Sequence, residues 1–281
     1  MKNVFIVGAG TMGLDIAQAF ASHGMCVTVR DISQEIIDGA CAKLNKKLAK
    51  LLDKGKIDKA FADMLTANIR FTVDLNDAKT ADLVLEAIVE RVDIKKSVFA
   101  ELDAICPENT IFATNTSSIS ITEIGSAVKR TDKFIGMHFF NPADRMKLVE
   151  VIRGVHTSDE TFAAIRDLSK EIGKDPVEVA EAPGFVVNRI LVPMINEAIY
   201  VYAEGIASVE DIDKAMQLGA NHPMGPLALA DFIGLDICLA IMDTLYNETH
   251  DSKYRACPLL RKMVRGRKLG RKTGAGFYDY N

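Results

Sequence analysis

Short apolar runs alternate with stretches of helical periodicity along the first two thirds of the chain. The runs have the length and the β-branched, aromatic composition of strands. They lie at residues 4–7, 27–29, 83–87, 111–114, 134–140 and 176–180. Alternation of this kind predicts an α/β fold in which a mostly parallel sheet is covered by helices.

The pattern changes after Pro183 and Gly184, two residues that interrupt regular structure. The rest of the chain shows long helical periodicities and no convincing strand. Ser208, which precedes two acidic residues, is placed to begin one of these helices. We therefore predict two domains, an α/β domain at residues 1–183 and an all-helical C-terminal domain at residues 184–281.

A glycine pattern follows the first apolar run. Gly8, Gly10 and Gly13 have the spacing G-x-G-x-x-G between a predicted strand and a predicted helix, and a second run ends in Asp31. In a dinucleotide site the first glycine makes the tight turn, the second lets the pyrophosphate approach, and the third lets helix and strand pack closely. An acidic residue about 20 positions later binds the ribose. The pattern favours NAD over the alternative, a glycine-rich turn in an ordinary α/β protein.

The choice between NAD and NADP depends on two neighbouring residues. Arg30 precedes Asp31, and a nearby arginine can accommodate the 2′-phosphate of NADP. The carboxylate of Asp31 would repel that phosphate, so we expect NAD.

Composition limits the partners and the compartment. The 281 residues carry a net charge of −4, which argues against general binding of nucleic acid. The five cysteines are scattered without a C-x-x-C spacing, so we expect reduced core thiols and no metal site. The N-terminus shows no leader pattern, and no run of about 18 apolar residues follows. We therefore expect a cytoplasmic protein with no membrane partner.

His138 is the first candidate for catalysis. It lies near the end of the run at 134–140, and open α/β sheets bind ligands at the carboxyl ends of their strands. Glu150, twelve residues later, could lie on an adjacent strand and hold the imidazole in one tautomer. The alternatives are a hydrogen-bonded core histidine and a carboxylate that faces solvent.

Short polar side chains follow another strand end, in TNTSS at residues 114–118. Such groups can bind a polar ligand, whereas Ser117 or Ser118 can equally cap the next helix. Asn188 is similarly ambiguous, because its amide can hold a substrate oxygen or tie the domain boundary to a helix.

Lysines recur at helical spacing after the second strand. Lys43, Lys47, Lys50 and Lys54 form one stripe beside an apolar stripe. The stripe is either the solvated face of an amphipathic helix or a clamp for a phosphorylated substrate. Lys272, in a second basic cluster, either reaches a cofactor or decorates a surface loop.

Several longer motifs occur together and in order. They are GAGTMG at 8–13, NTSS at 115–118, HFFNP at 138–142, PGFVVNR at 183–189, MGP at 224–226 and KTGAGFY at 272–278. With these motifs the chain resembles the 3-hydroxyacyl-CoA dehydrogenase family from residue 2 to the end. The resemblance implies a Rossmann-type, doubly wound NAD-binding domain with a helical hairpin insertion. A helical domain for substrate and dimerisation would follow, with an acyl-CoA thioester bound in the cleft between the two.

The resemblance also implies roles for individual residues. His138 would be the general acid/base and Glu150 its orienting partner, while Ser117 and Asn188 would bind the reacting C3 oxygen. Lys50 and Lys54 would contact the phosphates of coenzyme A. The cofactor site would be formed by Gly8, Gly10, Thr11, Met12, Gly13, Asp31, Glu90, Lys95, Asn115, Ser117, Asn141 and Lys272.

Within the family, the size of the chain and the residues of its motifs most resemble those of members that interconvert (S)-3-hydroxybutyryl-CoA and acetoacetyl-CoA with NAD(H). A longer-chain 3-hydroxyacyl-CoA dehydrogenase and a dehydrogenase of free hydroxy acids are the enzymatic alternatives. A non-catalytic NAD-binding protein of crystallin type is the alternative from another class. The family usually dimerises, and Met224, Leu227, Leu229 and Phe232 would form the dimer interface or pack inside the second domain.

Overall fold

The computed structural model describes residues 1–281. They form two compact units, Met1–Glu181 and Ala182–Asn281. None of the helices combines the length and the apolar character needed to cross a membrane.

The first unit is built on one eight-stranded sheet with the order β3-β2-β1-β4-β5-β6-β7-β8. All neighbouring strands are parallel except β6 and β7, which are antiparallel. This confirms the predicted α/β class with a mostly parallel sheet. The strands are β1 (Asn3–Val7), β2 (Cys26–Arg30), β3 (Ile69–Thr72), β4 (Leu83–Glu86), β5 (Ile111–Thr114), β6 (Phe134–Phe139), β7 (Leu148–Arg153) and β8 (Asp175–Ala180).

Helices cover this sheet, so its central strands are buried on both faces. Every residue of β4, β5 and β6 is buried, which explains why these strands read as continuous apolar runs. The helices of the first unit are α1 (Thr11–Ala21), α2 (Gln34–Asp53), α3 (Lys59–Asn68), α4 (Val92–Ile105), α5 (Ile121–Gly125) and α6 (Asp159–Glu171).

The prediction missed β3 at the edge of the sheet. Its sequence is only IRFT, and Ile69 is its one buried residue. So short a half-exposed strand leaves little hydrophobic pattern, and its pairing with β2 is a long-range contact. Between β2 and β3 lie α2 and α3, and the buried Leu44, Leu48 and Leu65 pack them against the sheet core.

The second unit is all-helical, as predicted. Its core includes Leu235, Cys238, Met242 and Leu245, which recur at helical spacing and are fully buried. The predicted start at Ser208 is confirmed, since its hydroxyl accepts from the backbone N–H of Asp211 at 3.1 Å. The helices are α7 (Val187–Ala203), α8 (Val209–Gly219), α9 (Pro226–Ile233), α10 (Leu235–Thr249) and α11 (Pro258–Arg265).

One sequence expectation needs correction, and the residues of one open alternative divide. The five cysteines are all free, but Cys26 is exposed, so they are not all core thiols. The proposed interface residues also divide, because Leu227 is fully buried in the unit's core whereas Phe232 is 48% exposed. An apolar side chain on a helix is buried or exposed according to which face packs, and sequence distance alone does not decide that.

Candidate active site

The predicted site residues of the first unit follow the strands of the sheet at one edge. The glycine loop follows β1, Asp31 follows β2, and the polar loop at 114–118 follows β5. His138 is the penultimate residue of β6, the last strand in the parallel part of the sheet. Parallel strands end at the same edge, where open α/β sheets bind ligands. Because β7 is antiparallel to β6, Glu150 near its start also lies at this edge.

The glycine loop has the geometry that a pyrophosphate requires. Gly8 has φ +111°, and a Cβ there would lie 2.5 Å from the carbonyl oxygen of Ala87. A Cβ on Gly13 would overlap the carbonyl oxygen of Gly8. At Gly10, in contrast, a Cβ would point into open space. Gly10 also precedes α1, which has no side-chain cap, so its first N–H groups and a clear approach fit a bound phosphate.

Asp31 is held beside this loop. One carboxylate oxygen accepts from the backbone N–H of Ala9 at 2.7 Å, and the other accepts from the N–H of Ile32 at 2.7 Å. Arg30 instead donates from Nε to the carbonyl oxygen of Val73 at 3.2 Å. The anionic Asp31 therefore lies next to the turn, while Arg30 is engaged with the end of the neighbouring strand, an arrangement that favours NAD.

Glu90 organises the polar loop after β5. Its carboxylate accepts from Thr116 Oγ1 at 2.5 Å and from the backbone N–H of Ser117 at 2.9 Å, and it pairs with Lys95 at 3.1 Å. Burial acts to raise the pKa of Glu90, but the Lys95 ammonium and the hydrogen bonds outweigh it, so the pKa lies below its usual value. The ionised Glu90 thus fixes the backbone at Ser117.

A second carboxylate, Glu86, was not found from the sequence. It ends β4, is fully buried, and accepts from Lys95 Nζ at 2.6 Å and Thr114 Oγ1 at 2.7 Å. Lys95 is 1% exposed and bridges Glu86 and Glu90. The available signal was a charged residue at the end of an otherwise apolar run, LVLE. Buried charges are retained when they are paired in this way.

His138 and Glu150 form a close pair at this edge. They lie directly opposite each other in the β6–β7 register, and His138 Nδ1 is 2.8 Å from Glu150 Oε2. The two residues are 5% and 1% exposed. The phenyl ring of Phe140 packs 4.6 Å from the imidazole, centroid to centroid. The structure therefore favours the hydrogen-bonded pair over a solvent-facing carboxylate.

Two asparagines complete this edge. Asn115 Oδ1 accepts from the backbone N–H of Phe139 at 2.8 Å, which links the end of β5 to the end of β6. Asn141 is exposed in the loop that follows β6. The helix-capping alternative for Ser117 or Ser118 is wrong, because Ser120 caps α5 by accepting from Glu123 N at 3.0 Å. The next helix begins later than the spacing suggested.

The lysine stripe also divides. α2 ends at Asp53, so Lys54 lies just beyond it, and Lys50 and Lys54 are exposed. The ammonium of Lys47 instead forms ion pairs with Asp15 and Asp144, at 2.9 Å each. Only part of the stripe is therefore exposed and free of ion pairs within the chain.

The second unit holds two further predicted residues. Asn188 is the second residue of α7. Lys272 lies in a 3-10 turn, where its ammonium pairs with Asp236. The roles of both residues toward a ligand remain predictions.

Two family profiles match the chain along almost its whole length. The NAD binding domain of 3-hydroxyacyl-CoA dehydrogenase matches residues 3–182. The C-terminal domain of 3-hydroxyacyl-CoA dehydrogenase matches residues 184–280.

Individual proteins show the same similarity. The chain is 59% identical over 276 residues to the 3-hydroxybutyryl-CoA dehydrogenase of Clostridioides difficile, with 98% of each chain covered. It is 42% identical to the human mitochondrial hydroxyacyl-coenzyme A dehydrogenase, over 100% of this chain and 91% of the human one. The crystal structure of (S)-3-hydroxybutyryl-CoA dehydrogenase from Ralstonia eutropha superposes with a TM-score of 0.96 at 51% identity, covering 100% of this chain and 99% of the other.

Proposed function

The chain belongs to the 3-hydroxyacyl-CoA dehydrogenase family, and on that premise we propose that it interconverts (S)-3-hydroxybutyryl-CoA and acetoacetyl-CoA with NAD(H). The place in metabolism that fits this reaction is short-chain fatty acid, or butyrate, metabolism. One observation carries the catalytic assignment: the buried His138–Glu150 pair lies at the sheet edge that also bears the open glycine turn. A protein that only binds a dinucleotide does not need this pair.

The protein's part in the reaction is to move one proton. When bound, NAD(H) accepts or supplies the hydride. Glu150 accepts a hydrogen bond from His138 Nδ1, so Nε2 is the nitrogen that exchanges a proton with the C3 oxygen. His138 takes that proton when the alcohol is oxidised and returns it when the ketone is reduced. The buried Glu150 carboxylate stabilises the imidazolium that forms in the oxidative direction.

Ser117 and Asn188 are proposed to bind the C3 oxygen as its charge changes. Support for Ser117 comes from Glu90, whose carboxylate accepts from the backbone N–H of Ser117 and pairs with the buried Lys95. Asn188 is proposed on its match to the family motif PGFVVNR. For coenzyme A, the exposed ammonium groups of Lys50 and Lys54 are the proposed phosphate contacts.

The cofactor contacts are proposed on the same basis. The glycine turn would face the pyrophosphate and Asp31 the ribose, because these groups lie at the ends of β1 and β2. The remaining proposed contacts are Thr11, Met12, Glu90, Lys95, Asn115, Asn141 and Lys272. Lys95 acts in this set through Glu90, since its ammonium is buried between Glu86 and Glu90.

We also propose that residues 1–183 bind NAD and that residues 184–281 serve the substrate and a homodimer. Support for the dimer is the set of exposed apolar side chains in the second unit, among them Ile190 at 68% and Leu218 at 77% exposure. Sedimentation at several concentrations tests this assembly. A cytoplasmic location is proposed from the five free thiols.

The decisive experiment follows the absorbance of NADH when purified protein is mixed with acetoacetyl-CoA. We expect rapid loss of absorbance with this thioester, and slow or no loss with NADPH or with free acetoacetate as controls. Faster turnover of longer 3-oxoacyl-CoA substrates would shift the assignment to a longer-chain enzyme. NADH binding without turnover of any acyl-CoA would instead support the non-catalytic alternative.

A further inference from the structure

The loop at residues 140–147 connects the two strands of the catalytic pair. It leaves β6 just after His138, contains the exposed Asn141, and enters β7 just before Glu150. Its start is fixed by the hydrogen bond from Phe139 N to Asn115 Oδ1 at 2.8 Å. Asn141 comes two residues after this fixed point, so the contacts of the remaining loop residues also determine its position.

Lys174 holds the loop from the protein interior. It lies just before β8 and is 7% exposed. Its ammonium donates to the carbonyl oxygens of Ala143 at 2.7 Å and Met146 at 2.8 Å. The next backbone N–H, of Asp175, donates to the carbonyl oxygen of Lys147 at 2.8 Å. One buried side chain and its neighbour thus bind three carbonyl groups of the loop.

Burial of the charged Lys174 ammonium is energetically unfavourable. Burial lowers the pKa of Lys174, and only the nearby Asp144 carboxylate opposes this effect. Its two hydrogen-bond acceptors are neutral carbonyls, so no direct ion pair compensates for the lost hydration. A lysine supplies three donors from one atom, which suits the two carbonyls that converge on it.

A second lysine holds the same loop from the other side. Lys47 on α2 pairs with Asp144 of the loop and with Asp15 of α1, at 2.9 Å in both cases. This bridge connects the loop to the helix that begins at the glycine turn. Asp144 consequently lies between two cations, Lys47 and Lys174.

We propose that Lys174 is a positioning residue for the dehydrogenase reaction, one that places Asn141 against the bound nicotinamide cofactor by fixing the loop at residues 140–147. The Lys47–Asp144 pair reinforces this placement at the surface. The inference rests on the proposed function, because it assumes that Asn141 contacts NAD(H).

The first test replaces the ammonium with a side chain of similar length. Lys174→Met is compared with Lys170→Met, which removes an exposed lysine from the end of α6. At a temperature well below the thermal midpoint of both variants, we expect Lys174→Met to bind NADH about tenfold more weakly in a fluorescence titration. Its kcat should fall about 10-fold to 100-fold, since small misplacements are costly. Lys170→Met should match the parent protein.

A purely structural role would lower the thermal midpoint of Lys174→Met and leave its NADH affinity and kcat unchanged below that midpoint. That result would overturn the proposal. If the parent protein itself neither binds NADH nor reduces acetoacetyl-CoA, the proposed function fails instead, so the two failures are distinguishable.

A double-mutant cycle tests whether Lys174 acts through Asn141. We expect Asn141→Ala to weaken NADH binding, and the double variant Asn141→Ala/Lys174→Met to bind NADH no more weakly than Asn141→Ala alone. Independent effects that multiply would overturn the proposal. Should Lys174→Met fail to fold, Asp144→Asn takes its place, with NADH affinity expected to fall about threefold; an affinity equal to that of the parent protein would then overturn the proposal.

Discussion

Buried carboxylates have different partners in the two units. In the first unit, Glu86 faces the ammonium of Lys95 at 2.6 Å, and Glu150 faces the imidazole of His138 at 2.8 Å. Each of these carboxylates has a titratable partner that can carry positive charge. The Glu150–His138 pair lies at the sheet edge where the glycine turn is open.

In the second unit, the buried carboxylates bind neutral donors. Asp231 accepts from the backbone N–H groups of Phe277 and Tyr278 at 3.0 and 2.9 Å and from Tyr280 OH at 3.2 Å. Asp213 accepts from Tyr278 OH at 2.8 Å and also from two backbone N–H groups at the start of α9. Burial and the Asp213 carboxylate raise the pKa of Tyr278.

The difference in partners distinguishes a carboxylate that is suited to proton transfer from a carboxylate that anchors a chain segment. A carboxylate paired with an imidazole can support proton transfer, because it holds the imidazole in one tautomer and stabilises the imidazolium that forms. A carboxylate that binds amides and phenols anchors a chain segment, here the C-terminal tail that follows Lys272. Burial of an acid therefore does not by itself identify a candidate catalytic group; the donor that the acid faces and the place of the pair in the fold are needed as well.

The largest expected effect is on turnover, in His138→Gln. Loss of the general acid/base should reduce kcat by about 100-fold to 10,000-fold while NADH binding remains intact. His156→Gln, which changes an exposed histidine, is the matched control. Single-turnover absorbance and NADH fluorescence measure the two quantities, and near-normal turnover in His138→Gln would refute its catalytic role.

The counterpart in the second unit is Asp231→Ala, which should act on stability. Three donors of the C-terminal tail lose their buried acceptor, so we expect the free energy of unfolding to fall by about 3–5 kcal/mol. Urea denaturation measures the change, with Glu248→Ala as an exposed control on α10. A loss below about 1 kcal/mol would show that the tail does not depend on this carboxylate.

Asp31→Ala tests the ribose assignment at an intermediate magnitude. Removing the anion should lower the preference for NAD over NADP by about 10-fold to 100-fold, the range of a hydrogen bond to a charged group. The ratio of kcat/KM values for NADH and NADPH measures it. Arg30→Ala should leave the ratio nearly unchanged, because Arg30 is bonded to Val73; an unchanged ratio in Asp31→Ala would disprove the assignment.

The smallest expected effect is on the pH dependence of the free energy of unfolding, through Glu90. Its pKa is below the ordinary value of 4.5 in the folded protein, so the folded state binds its proton less readily than the unfolded state. The resulting stabilisation is present above pH 4.5 and is lost as the pH falls through the folded pKa. We expect the parent protein to exceed Glu90→Gln in stability at pH 7, with a gap that narrows below pH 4.5.

Urea titrations at pH 7 and at about pH 3.5 measure that gap across the window in which Glu90 takes up its proton. Glu101→Gln, at an exposed position of α4, controls for the general effect of removing a carboxylate. A gap between the parent and Glu90→Gln that stays constant with pH would contradict the prediction.

Much of the fold was predictable because its signals are local. The buried strands are visible in the sequence as apolar runs. The spacing of Gly8, Gly10 and Gly13 reflects the steric requirements of a single turn. The half-exposed β3 escaped prediction for the opposite reason, since its place depends on pairing with β2. The roles of Lys47 and Glu86 escaped for a similar reason, because their partners come from other elements.

The sequence by itself determined the α/β class, the helical character of the second unit and the order of the family motifs, because hydrophobic period and glycine spacing act over a few residues. Only the tertiary structure decided that His138 faces Glu150, that Lys47 is bound to Asp15 and Asp144, and that Lys174 holds the loop at residues 140–147. These contacts depend on strand register and helix packing, which bring together side chains that are distant in the chain.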